Sequence, residues 1–300
     1  MIKSRSQRIM DVFSNGVLII FALYAVLPFL LLIIASFTDN QTALVEGYSF
    51  FPSKLSTDAY GYLVQQWKMI GRGYMMTIIV TVLGTLMSIA ITAAFAYALS
   101  VPELPGRQIL LMMVLISMLF NGGIVASYYV YANIIHIKDT IWALIVPGYL
   151  MNAFNVILLR NYYVNNISGE ILESARLDGA GEILIFSKIV IPLSTPIYAT
   201  VGLMTAVGYW NEWTNGLYYL TNKNGSHLYT IQMILNQINE NISYLATNAA
   251  KLDLNIDQTQ MPSTTVRMAI AVIAIFPIVA AFPFFQQYFV KGIAVGGVKG

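Results

Sequence analysis

Glu173-Ser174-Ala175-Arg176-Leu177-Asp178-Gly179-Ala180, followed by Phe186 and by Ile189-Val190-Ile191-Pro192-Leu193, is a charged, glycine-broken stretch in a chain that is otherwise almost wholly apolar. A bare connection between helices needs only a few residues, whereas this polar segment extends over residues 160–192. Asn165-Asn166-Ile167-Ser168 reads as a turn with Ser168 available as an N-cap. Glu170 then suits the positive end of a helix dipole, and Leu172, Ala175 and Arg176 recur at helical spacing. A first short helix over Gly169–Asp178 ends where Gly179 can take the left-handed conformation. A second, Ala180–Val190, leads to Pro192. Two short helices meeting at a glycine make a compact elbow, a shape that transmits a push from a soluble partner into whatever the elbow is packed on.

Composition sets the class around this elbow. Of 300 residues, 57% are hydrophobic and 10% charged, where a soluble domain carries roughly 25% charged residues; mean hydropathy is +0.68. The chain reads as a single membrane domain, residues 1–300, with a core over about 74–290. A net charge of +2 with dispersed basic residues gives no nucleic-acid footprint. There is no cysteine, which excludes disulfides, thiolate chemistry and Fe–S clusters. His136 and His227 lack ligand-like spacing, so no metal site is expected.

A membrane-spanning helix needs about twenty mainly apolar residues. Six stretches qualify: Val12–Phe37, Tyr74–Ser100, Gln108–Tyr131, Ile141–Leu159, Leu193–Tyr209 and Met268–Tyr288. The first follows Lys3, Arg5 and Arg8, yet its apolar run exceeds that of a cleavable signal and lacks a small-residue cleavage site. It is read as a retained span. The basic N-terminus places that end in the cytoplasm, and six spans return the C-terminus, the 101–107 turn and the 160–192 loop to the same side. Two sizeable loops lie outside, 38–73 and 214–267. The second is rich in Asn, Gln and Thr, has an Asn-Gly turn at 224–225, and shows a helical rhythm of Ile231, Ile234, Leu235, Ile238 and Leu245 within Leu228–Leu245.

No span holds an Asp, Glu, Lys, Arg or His in its interior, which argues against proton coupling; a sodium site built from carbonyls and hydroxyls stays open. There is no paired-carboxylate or nucleophile–base arrangement and no Gly-x4-Gly-Lys-Ser/Thr phosphate loop. The chain is therefore not expected to be an enzyme. Asn152 and Asn155 follow Pro147 and Gly148 in the fourth span, while Pro28, Pro277 and Pro283 interrupt the first and last. Such prolines sit beside cavities or simply kink a helix. Gly84 and Ser88, four residues apart, fit close helix packing.

The elbow resembles the signature loop of ABC importer permeases, Glu-Ala-Ala-x3-Gly-x9-Ile-x-Leu-Pro. Glu173-Ser174-Ala175 opens it, Gly179 falls at the right spacing, and Ile189 and Pro192 follow, with Ser174 in place of Ala and Ile191 in place of Leu. Asp178, Ala180, Phe186 and Pro192-Leu193 look like the sugar-importer version. Trp210-Asn211-Glu212-Trp213 is similar to that family's pattern at the outer end of the fifth span. Gly296-Gly297-Val298-Lys299-Gly300 looks like the tail of the maltose-type permease subunit, the shorter of its pair.

The resemblance covers nearly the whole chain and implies an all-α membrane protein of about six transmembrane helices, with the type I ABC importer permease fold and both termini cytoplasmic. It implies a multi-pass protein of the bacterial plasma membrane that is one of two different permease subunits in a sugar or oligosaccharide importer. Its partners would be the second permease subunit, a dimer of nucleotide-binding ATPase subunits, an extracytoplasmic sugar-binding protein and the lipid bilayer. ATP and magnesium would be held by the ATPase, and this chain would need no cofactor. Glu173, Ser174, Ala175, Asp178, Gly179 and Ala180 would form the coupling helix in a cleft of the ATPase, with Glu173 facing a basic group there. Gly296, Gly297, Val298, Lys299 and Gly300 would reach the interface of the two ATPase subunits. The 214–267 loop would face the docked binding protein.

Sugar sites combine aromatic faces with amides and hydroxyls, which makes Tyr128, Tyr129, Tyr131, Asn152, Asn155, Trp210 and Asn211 candidates for the substrate path. Aromatic residues at a membrane interface are as often belt anchors. Two other functions stay on the table: a secondary transporter working alone, and an ABC importer permease for a non-sugar solute.

Overall fold

The computed structural model describes residues 5–248 and 263–297. The described residues are helical apart from turns and one isolated bridge, Thr38 to Leu55. They divide into two compact units, Met1–Lys68 with Gln237–Pro277, and Met69–Asn236 with Ile278–Gly300.

The first unit opens with α1 (Arg5–Ser36). Its stretch Met10–Ser36 has a mean hydropathy of 3.1 and is long enough to cross a membrane. Pro28 lies inside this helix. Asp39 ends the turn after α1 and caps α2 (Asn40–Val45), accepting from the Thr42 amide at 3.3 Å. The Lys54 ammonium, donating to Asp39 at 3.1 Å, holds that carboxyl below its ordinary value. Phe37 stacks on Tyr60 of α3 (Asp58–Gln65), with ring centroids 4.7 Å apart. These contacts close the 38–57 segment against the end of α1.

The second unit is organised by α4 (Trp67–Ser100), the other helix long and apolar enough to span a membrane. Its buried face is a run of small residues that includes Gly73, Thr77, Gly84, Ser88 and Thr92. The reason is visible at each level. A Cβ on Gly84 would lie 2.6 Å from the Tyr209 ring, and one on Gly73 would lie 3.2 Å from the Ile231 backbone. Thr77 accepts from the Ile231 amide at 2.8 Å, and Ser88 donates to the Tyr149 carbonyl at 2.9 Å. The sequence pair Gly84 and Ser88 is thus a true close-packing seam.

Two of the expected spans are not single helices. The stretch Gln108–Tyr131 divides into α5 (Arg107–Leu119) and α6 (Gly123–Tyr128), which runs into a wider π turn at Tyr129–Ile134. Asn121 accepts from the Gly123 amide at 2.9 Å, and Gly123 sits at φ +77°, so an Asx-type turn replaces the helix there. With 13 residues, α5 alone is only about 20 Å long. The stretch Ile141–Leu159 likewise divides into α7 (Trp142–Ile145) and α8 (Ala153–Asn166). Pro147 begins the break, Gly148 turns it at φ +85°, and Asn152 caps α8 by accepting from Phe154 and Asn155 amides.

After α8 comes the elbow: α9 (Gly169–Leu177), α10 (Glu182–Ile185), a π turn over Phe186–Val190, and α11 (Ile191–Leu193). A bend of 81° at Ser194 leads into α12 (Thr195–Asn211), and the bent pair together is apolar enough to form one further span. The chain continues through α13 (Thr214–Tyr219), α14 (Ile231–Asn248) and α15 (Ser263–Gly297). The expected helical rhythm after Leu228 is present as α14, and Ile231, Ile234, Leu235 and Ile238 are buried. Pro277 and Pro283 both lie within α15.

Candidate functional site

The elbow differs from expectation in two details. Ser168 occupies the N-cap position of α9 but makes no side-chain capping bond. The second helix begins at Glu182 rather than Ala180, and it continues through Pro192 instead of stopping before it. Pro192 has no N–H to offer the carbonyl four residues back, and the wider π turn preceding it accommodates the lost bond.

The joint itself is a Schellman motif. The Ala180 amide bonds the Ala175 carbonyl and the Gly179 amide bonds the Arg176 carbonyl, both at 3.0 Å, with Gly179 at φ +85°. Beyond the glycine and its two chain neighbours, no atom lies within 4 Å of where a Gly179 Cβ would stand. Glycine is needed there for its conformation, not for space.

The elbow has two faces. Ala175, Ala180, Leu172 and Phe186 pack on a buried cluster formed by the ends of α4, α8 and α12. Glu173, Ser174, Asp178 and Gly179 are exposed. Leu177 and Ile183 are 88% and 86% exposed on the same short segment. Periodicity alone did not single out these two, because short amphipathic helices ordinarily bury their large apolar side chains. Beside Glu173 lies a cavity of about 200 Å³, lined among others by Tyr97, Glu103, Tyr163 and Arg176. The hydrogen bond to Glu182 at 2.8 Å raises the Arg176 guanidinium above its already high ordinary value, so the ion pair keeps its cation.

The candidate path residues separate into groups. Tyr128 stacks on Tyr219 with planes 11° apart and centroids at 5.7 Å, and Tyr131 meets Tyr219 edge-on at 6.1 Å. Lys138 donates to the Tyr128 hydroxyl at 3.1 Å. Tyr129 is exposed. Tyr219, the centre of this cluster, was absent from the expected set; nothing local marks it, since its partners lie some ninety positions earlier in the sequence. Asn152 uses its side-chain oxygen on the α8 cap. Asn155 is buried and reaches Thr205 at 3.4 Å. Asn211 donates to the Val207 carbonyl one turn back in its own helix. Trp210 lies 6.3 Å from Tyr74, ring to ring.

The tail Gly296–Gly300 is described only as far as Gly297, where α15 ends. Val298, Lys299 and Gly300 lie outside the described residues, as does Leu245's side chain.

Residues 95–295 match the family described as "Binding-protein-dependent transport system inner membrane component". The chain is similar to the polygalacturonan/rhamnogalacturonan transport system permease protein YtcP of Bacillus subtilis (strain 168), with 37% identity over 98% of this chain and 99% of that protein. It is also similar to the arabinooligosaccharides transport system permease protein AraQ of Halalkalibacterium halodurans, with 30% identity over 93% of each. Among solved structures, a chain of a bacterial ABC transporter involved in the import of the acidic polysaccharide alginate superposes with a TM-score of 0.74. That match covers 96% of this chain and 99% of the other at 30% identity.

Proposed function

This chain belongs to the family of binding-protein-dependent transport system inner membrane components, and we propose that it imports oligosaccharides or polysaccharide fragments using ATP hydrolysed by a separate subunit. It is a multi-pass permease of the inner (plasma) membrane, a non-catalytic component of a larger transport complex. The relatives named for their cargo carry the names of sugar polymers or oligomers, and the partly exposed Tyr128 and Tyr131, held by the buried Tyr219, are aromatic groups of the kind on which sugar rings pack.

The observation that carries the reading is the two-faced elbow. Its inner face is packed on α4, α8 and α12, and its outer side exposes Glu173, Ser174 and Asp178 together with two bare apolar side chains, Leu177 and Ile183. A desolvated apolar anchor beside charged groups is how a docking surface gains both affinity and register. The ATPase subunit docks here, on the cytoplasmic side, with Glu173 meeting a basic side chain. Closure of an ATPase dimer on ATP drives two such elbows together and turns the bundle from inward-facing to outward-facing. An external binding protein releases the sugar into the opened path, and hydrolysis resets the complex. Both termini are cytoplasmic, and the C-terminal tail from Gly296 extends toward the ATPase interface. The 214–267 segment faces the binding protein. The whole of residues 1–300 acts as one transmembrane domain, paired with a second, different permease subunit.

The test is co-purification in mild detergent followed by ATPase assays with a panel of oligosaccharides and the binding protein. An ATPase pair should accompany the chain, and its rate should rise with cargo-loaded binding protein. Charge reversal at Glu173 together with Leu177→Asp should strip the ATPase from the complex. Retention of the ATPase by that variant would overturn the docking assignment.

A further inference from the structure

Glu182 opens α10, and each of its carboxylate oxygens is taken by a different element. One accepts from Arg176 Nε of α9 at 2.8 Å, and the other from the Tyr97 hydroxyl in the last turn of α4 at 2.5 Å. The Tyr97 ring stacks on Phe186 with centroids 5.1 Å apart and meets Tyr163 of α8 edge-on at 6.5 Å. Tyr163 in turn shares a hydroxyl–hydroxyl hydrogen bond of 2.7 Å with Tyr198 of α12. A line of contacts therefore passes from the first elbow helix through Arg176, Glu182 and Tyr97 into three long helices.

The Tyr97 hydroxyl is not needed for burial. The ring is 6% exposed, and phenylalanine would fill the same space with the same ring contacts. Nor does the hydroxyl rescue a buried charge, because the Glu182 side chain is 50% exposed and water can solvate the freed oxygen. What the bond does is geometric. Nothing beyond its chain neighbours lies within 4 Å of where a Gly179 Cβ would stand, so α9 and α10 are held across the joint by two backbone bonds, by the apolar packing of their inner faces and by the polar grip on Glu182. Arg176 grips the carboxylate at the start of α10 from across the joint, and Tyr97 grips it from the end of α4.

We infer that Tyr97, Glu182 and Arg176 form a clamp that holds the two elbow helices as one rigid piece on the end of α4, with Tyr97 as a positioning residue for coupling. The inference rests on the docking role proposed above. With the clamp closed, a displacement of α9 is delivered to α4; with it open, the displacement is absorbed at Gly179.

The experiment uses the whole complex with its ATPase and binding protein in liposomes, and compares sugar transported per ATP hydrolysed for the unmutated chain, Tyr97→Phe, Glu182→Gln and the double variant. Tyr97→Phe should keep assembly and stimulated ATPase activity while the transport ratio falls on the order of tenfold, the effect of losing one charge-assisted hydrogen bond. Glu182→Gln should fall at least as far, and the double variant no further than Glu182→Gln, because the residues act as one unit. A merely structural role would lower the yield or melting temperature of the complex and leave the ratio of the assembled fraction unchanged. A normal ratio in Tyr97→Phe overturns the clamp while leaving the docking role standing. Absence of ATP-driven uptake by the unmutated complex overturns both.

Discussion

At the scale of single residues, Gly179 and Asn152 make opposite points about what a flexible or polar position is there for. Gly179 holds φ +85° in open space, so a side chain there meets no obstacle and suffers only backbone strain, about 1–2 kcal/mol for an L-residue in the left-handed region. Gly179→Val should therefore leave the complex inserted and assembled but abolish coupled uptake, whereas Gly179→Asn, which tolerates this region, should retain part of it. Uptake assays on proteoliposomes of equal protein content check both, and normal transport by the valine variant would contradict the elbow account. Asn152 is the reverse case. The sequence offered it as a path residue, but its side chain caps α8. Asn152→Ala should cost about 1 kcal/mol of stability, and Asn152→Ser should restore it by capping equally well. If instead the serine variant melts normally yet loses cargo affinity, Asn152 lines the path after all.

At the scale of elements, the broken fourth span shows how a gap in a helix is made tolerable. The Ile145, Pro147 and Tyr149 carbonyls around the break are met by the Tyr209 hydroxyl at 2.7 Å, the Asn215 amide at 3.1 Å and the Ser88 hydroxyl at 2.9 Å. Apolar surroundings leave no water to do this work. Tyr209→Phe should leave the buried Ile145 carbonyl without a partner and cost about 1–3 kcal/mol. Thermal unfolding of the detergent-purified complex reads this loss, and an unchanged midpoint would mean that the break relaxes around it. The existence of α1, α4, α12 and α15 was legible from apolar length, and the elbow from its glycine and charges. The breaks were not, although Pro147, Gly148 and the Asn121-Gly122-Gly123 run stood in plain view. A hydropathy window averages over such residues, and only the distant partners Ser88, Tyr209 and Asn215 make it affordable to leave the helix there. Tyr219 was missed for the same reason: its role comes from Tyr128 and Tyr131, which pairing in space alone reveals.

At the scale of the whole molecule, the sequence is an apolar scaffold interrupted by a polar elbow, with no Asp, Glu, Lys, Arg or His in the interior of an expected span. Membership of a binding-protein-dependent transport family makes the chain a non-catalytic membrane component of a larger complex. The central claim is that the energy for transport comes from ATP and is delivered through the elbow. The most direct measurement is uptake of labelled oligogalacturonide and arabino-oligosaccharide by liposomes containing the purified complex and its loaded binding protein, with ATP enclosed and ion gradients collapsed. The account predicts accumulation of at least one of these sugars that requires hydrolysable ATP and disappears in Gly179→Val. Accumulation by the chain alone, driven by an ion gradient without ATP, would contradict it.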